Sequence, residues 1–118
     1  MNTIAMQKLN EMYYDKDEYK LYSAEEFKAE REKWGYDERY DEEWSLKDFL
    51  LYWLLDDIRT SNDMQTVAWA FEELDDIKSQ LNTRYNISLV DFREWFLEIL
   101  IEDQLERWKI CNHEREVI

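Results

Sequence analysis

Apolar residues recur at threes and fours along most of this chain, and five stretches of that pattern predict five helices. Ile4, Met6, Leu9 and Met12 or Tyr13 give the period from residue 3 to about 14. Ser23 opens S-A-E-E, where a serine and a glutamate three residues on can satisfy two free amide donors, and Gly35 can supply the left-handed residue that stops a helix over 24–34. Ser45 opens S-L-K-D ahead of FLLYWLLDDI, with Asp48 as the acidic partner. Apolar residues surround most of that helix, about 46 to 59, which makes it the central one. Asn62 or Ser61 caps the next, in which Met64, Val67, Phe71, Leu74, Ile77 and Leu81 turn one face inward until roughly 82. Ser88 opens S-L-V-D, and Phe92, Phe96 or Trp95, Ile99, Leu105 and Trp108 carry the longest helix to about 112.

Composition narrows the class. With no Pro and one Gly, the chain lacks the residues of hairpins and tight loops, so an all-α compact bundle of about five helices follows, and strands are not needed. Its 118 residues suit one acidic helical domain spanning 1–118, and 45% hydrophobic with 16% aromatic content excludes a disordered acidic tail. LDDIR at 55–59 and LDDIK at 74–78 share helix-end chemistry, but their flanks match too poorly for a duplicated unit.

Charge narrows the partners. Twenty-nine acidic against 15 basic side chains give −14, which repels nucleic acid and anionic membranes and favours cationic protein surfaces. No apolar run reaches about 18 residues and the N-terminus lacks a signal-peptide pattern, so the expected compartment is the cytoplasm. Cys111 is the only cysteine, so no internal disulfide can form.

The most informative acidic pattern is in the last helix, where Glu94, Glu98, Glu102 and Glu106 stand one turn apart over about 18 Å. Like charges at that spacing oppose a helix by roughly 0.2–0.5 kcal/mol per pair, and Lys109 is the row's only basic neighbour at helical spacing. The bland explanation is a solvated face of an acidic protein; the functional one is an anionic strip presented to a basic groove. One glutamate row is sparser than duplex phosphate, at one charge per ~1.7 Å, so further patches must join it. Asp56 and Asp57, Glu72 and Glu73, Asp75 and Asp76, and the cluster Asp37, Glu38, Asp41, Glu42 and Glu43 are the candidates.

That last cluster lies in WGYDERYDEEW, residues 34–44, where Tyr36, Tyr40 and Trp44 recur every four residues. They fit a helical edge packed on the core, or a contact surface on which Tyr40 and its neighbours anchor a partner that the acids steer. A calcium loop running from Asp15 to Glu26 would have acids at positions one and three, but Lys20 occupies its glycine position and Tyr19 replaces an oxygen ligand. Capping by Ser23 and Glu26 explains the same residues, so no metal site is assigned. His113 and Cys111 lie two apart near the C-terminus and would face different ways, and nothing forms a phosphate loop or zinc set. No catalytic residue, cofactor or enzyme activity is expected.

The acidic strip, wet aromatics, small size and helical class together resemble the DNA-mimic inhibitors of phages and mobile elements, including antirestriction and anti-CRISPR proteins. The resemblance is compositional and carries no motif. It implies a stoichiometric protein that occupies the nucleic-acid-binding surface of a host defence nuclease or DNA-binding enzyme, in the bacterial host cytosol if phage-encoded. The alternatives are an immunity protein or antitoxin neutralising a cationic toxin, and a helical homodimeric adaptor, whose interface would use the aromatics equally well.

Overall fold

The computed structural model describes residues 3–34 and 44–117, with side chains for 3–33 and 44–109. Helix α1 spans Thr3–Asn10, β1 Tyr13–Asp15, β2 Lys20–Tyr22, α2 Ala24–Trp34 and β3 Trp44–Ser45. Helix α3 covers 46–60, α4 Met64–Tyr85 and α5 Leu89–Val117. The fold is mostly α-helical, as the periodicity predicts. No helix among the described residues is long and apolar enough to cross a membrane.

Serine caps set the expected starts. Ser23 and Glu26 exchange reciprocal bonds, each amide donating to the other's side chain at 3.2 Å. Ser45 accepts from the Asp48 amide and Ser88 from that of Asp91. For α4 the cap is Asp63, not Asn62 or Ser61, with its carboxylate accepting from the Gln65 amide at 3.0 Å. At the other end of α4, Asn86 adopts a left-handed conformation, doing without glycine what a C-terminal cap requires. The stop for α2 assigned to Gly35 lies outside the described residues.

Three short strands depart from the strand-free expectation. They form an antiparallel sheet in the order β2-β1-β3, pairing Tyr13 with Tyr22, Tyr14 with Leu21, and Tyr14 with Trp44. Large aromatics suit a pleated surface, and they end α1 at Asn10 rather than carrying it to 14. The turn of β1–β2 forms without glycine. Asp15 Oδ1 accepts from the amides of Asp17 and Glu18, while Tyr19 takes φ 55°, a costly conformation for a bulky residue. Residues 15–26 are therefore a hairpin leading into a capped helix, not a calcium loop between two helices.

Contacts from α4 hold that hairpin. Gln80 Oε1 accepts from the Leu21 amide at 2.9 Å, and its Nε2 donates to the Tyr19 carbonyl at 2.7 Å. Arg84 donates to the Leu21 carbonyl and pairs with Glu26, to which Tyr85 also donates. Burial alone would raise the Glu26 pKa, but hydrogen bonds from Tyr85 and Ser23 and the Arg84 charge outweigh it and hold the carboxyl below its usual value.

The core is centred on α3, as expected, with Leu46, Phe49, Leu50, Leu51 and Leu54 buried. Its middle, Leu50–Leu54, is a π-helical turn in which the Leu55 amide reaches back to the Leu50 carbonyl. Met6 and Leu9 of α1, Met12, Tyr14 of β1, Leu21 of β2, Ala70, Ile77 and Leu81 of α4, Ile87, and Phe92, Trp95 and Ile99 of α5 complete this core. The inward face of α4 is thus rotated from the expected one, since Met64 and Phe71 are exposed while Ala70 is buried. Leu105 and Trp108 are also exposed rather than core, because α5 runs past the end of the globule and residues 104–109 are exposed on every side.

Candidate acidic groove

Where α3, α4 and the β1–β2 turn meet, Tyr19, Asp57, Thr66, Trp69, Ala70, Glu72, Glu73 and Asp76 line an open groove of about 720 Å³. The helical repeat brings Trp69, Glu72, Glu73 and Asp76 to one side of α4, at spacings of three, four and seven. Asp57 arrives from α3, and Tyr19 from the strained hairpin turn that Gln80 holds. The two LDDI segments each lend their second aspartate, although the second copy sits in the middle of α4 and not at a helix end.

Four carboxylates therefore share one concavity with two large aromatics, Tyr19 and Trp69, which are 61% and 59% exposed. Among the described residues none of the four pairs with a lysine or arginine, and their hydrogen-bond donors are neutral. Tyr14 Oη donates to Glu73 at 2.9 Å, and Gln80 Nε2 to Asp76 at 2.8 Å. Burial raises the Glu73 pKa; the Tyr14 bond opposes the rise, and the charges of Asp57 and Asp76 add to it. Burial, with the bond to Glu73 and the charges around it, also drives the Tyr14 phenol well above its ordinary value, so it remains a donor.

Such a site is rich in acceptors and has aromatic faces beside them. It can take a guanidinium or ammonium group, whose charge meets the carboxylates while its aliphatic stem lies on Trp69 or Tyr19. A second cleft, lined by residues including Lys8, Glu11, Glu25 and Arg84, carries mixed charge.

The other expected acids have different placements. Asp56 is exposed on α3 outside the groove, and Asp75 is drawn to Lys78 at 3.8 Å. The row Glu94, Glu98, Glu102 and Glu106 lies on α5 and lines no part of the groove. At about 100° per residue, its members wind through about 120° from first to last, so they do not form a straight strip. That winding brings Glu102 to Lys47 of α3, at 3.6 Å, and Glu106 pairs with Lys109 at 3.7 Å. Asp37, Glu38, Tyr40, Asp41, Glu42 and Glu43 lie outside the described residues, as do the side chains of Cys111 and His113.

Tyr19, Thr66 and Trp69 were not anticipated as site residues. The spacing of Trp69 with Glu72, Glu73 and Asp76 was the legible signal for one of them; the arrival of Tyr19 was not legible, because it depends on a turn without glycine. No protein-family model, curated protein or solved structure matches this chain.

Proposed function

We propose that this protein is a non-catalytic inhibitor that docks the acidic groove onto a basic protein surface otherwise used by nucleic acid, acting as an anionic stand-in for it. One observation carries the reading: four carboxylates with no basic partner among the described residues converge around exposed Trp69 and Tyr19. A fold without a cationic partner gains little from gathering like charges, whereas a basic cleft would gain from meeting them together. The charge of −14 extends the attraction to long range and speeds encounter. The host cytosol is the compartment this reading implies, and the targets are host defence nucleases or other DNA-binding enzymes, which makes this an inhibitor of the antirestriction or anti-CRISPR kind.

The exposed aromatics favour a second reading, an immunity protein or antitoxin that holds one cationic toxin through a desolvated Trp69 anchor. The two differ in salt response. Capture from bacterial lysate at low and high salt, with and without duplex DNA, should retain basic nucleic-acid-binding proteins that DNA displaces. The quadruple variant D57N/E72Q/E73Q/D76N should lose them. Captured proteins indifferent to both DNA and this variant would overturn the proposal, and a single salt-resistant partner lost on Trp69→Ala would establish the toxin reading instead.

A further inference from the structure

A second surface, independent of the groove, is on the outward side of α5. Val90, Leu97, Ile101, Leu105 and Trp108 fall within about 80° of one another around the helix at 3.6 residues per turn, on the side opposite Phe92 and Ile99. Leu97, Ile101 and Leu105 are 49%, 58% and 52% exposed, so α5 carries one apolar stripe into the core and another outward. Scattered exposed leucines are ordinary, but a stripe of about 27 Å along one helix is the shape that a second helix covers.

Charge decides which helix. Glu94 stands within the stripe and Asp91 and Glu98 along one border, with Glu102 beyond it and Lys109, paired with Glu106, at that border's far end, while the other border holds Arg93 and Gln104. A second copy of this chain would bring another body of charge −14 against it, and a symmetric antiparallel pairing would set the two glutamate borders face to face. The complement is a helix with apolar residues at spacings of three and four, flanked by lysine or arginine on the side that meets Glu94 and Glu98.

We propose that the outer stripe of α5 is the docking face for a basic amphipathic helix of a partner protein. The probe is a synthetic 21-residue helical peptide with a leucine stripe bordered by lysines, titrated into the full chain by calorimetry and by amide NMR. Wild type should bind one peptide, with the largest amide shifts over residues 97–105. The variant I101N/L105N changes only exposed side chains, and should weaken binding at least tenfold with an unchanged circular dichroism spectrum. Glu94→Gln with Glu98→Gln should weaken it severalfold, and the same peptide bordered by glutamates should not bind.

The groove variant D57N/E72Q/E73Q/D76N should retain the peptide and its shifts at 97–105, which separates this proposal from the preceding one. Equal affinity for wild type and I101N/L105N, or shifts centred on the groove, would overturn it. So would sedimentation of wild type as a dimer that I101N/L105N disperses, which would make a second copy the occupant.

Discussion

The groove and the α5 row use the same residue type and differ in what surrounds it. In the groove, Asp57, Glu72, Glu73 and Asp76 come from two helices and stand beside exposed aromatics, with neutral donors to Glu73 and Asp76. In the row, four glutamates come from one helix, wind away from each other's direction, and meet Lys47 and Lys109 at the far end. Local periodicity can line up charges, but only tertiary packing makes a concave site of them. The row's spacing is the more conspicuous pattern in the sequence, whereas the groove is where the fold gathers carboxylates into a concavity.

The strongest way to break the contrast is to loosen the turn that carries Tyr19. Gln80→Ala strands the buried Leu21 amide and frees the Tyr19 carbonyl, which should destabilise the fold by about 1–3 kcal/mol in urea melts and speed amide exchange in β1 and β2. Next in size, D57N/E72Q/E73Q/D76N should weaken binding of a short Arg/Lys peptide by roughly 30-fold, about 2 kcal/mol at 0.5 kcal/mol per contact, as measured by calorimetry.

Neutralising the row should do less. E94Q/E98Q/E102Q removes three like-charge contacts of roughly 0.2–0.5 kcal/mol each, together with the exposed Lys47 pair. Thermal melts should show unchanged or slightly raised stability, and affinity for the short peptide should fall less than in the groove variant. A larger loss from the row than from the groove would reverse the comparison.

The smallest effect is a difference in pH response between two half-buried glutamates. The Glu73 pKa is raised in the folded state, so its protonated form is favoured by folding. Its contribution is fully present below the ordinary value near 4.5 and is lost as pH rises through the higher folded value. Glu26 is lowered, so its contribution is present above 4.5 and is lost as pH falls through the lower folded value. Urea melts between pH 3 and 7 should show that Glu73→Gln removes a gain of stability on mild acidification, whereas Glu26→Gln removes a loss at lower pH.

Much of the helical framework was legible because its signals are local. The reciprocal Ser23 and Glu26 cap, the Ser45 and Ser88 caps and the apolar girth of α3 need only neighbouring residues. The sheet was not legible, since its strands are two or three residues long and depend on Gln80, Arg84 and Tyr85 from about 60 positions away. On α4 and α5, apolar residues occupy two faces each, so periodicity could not choose between Phe71 and Ala70, or show that Leu105 faces solvent. The carboxylates of the groove could be named from the sequence, but their meeting with Tyr19 and Trp69 is a product of the fold.

The central claim, that the groove rather than the acidity at large receives a cationic partner, is tested most directly by NMR titration of the full chain with a short Arg/Lys peptide. The Trp69 indole N–H and the amides of Tyr19, Thr66 and Glu73 should shift first and furthest, and raising the salt should reverse those shifts. Shifts spread evenly over every acidic segment, or largest along Glu94 to Glu106, would contradict it.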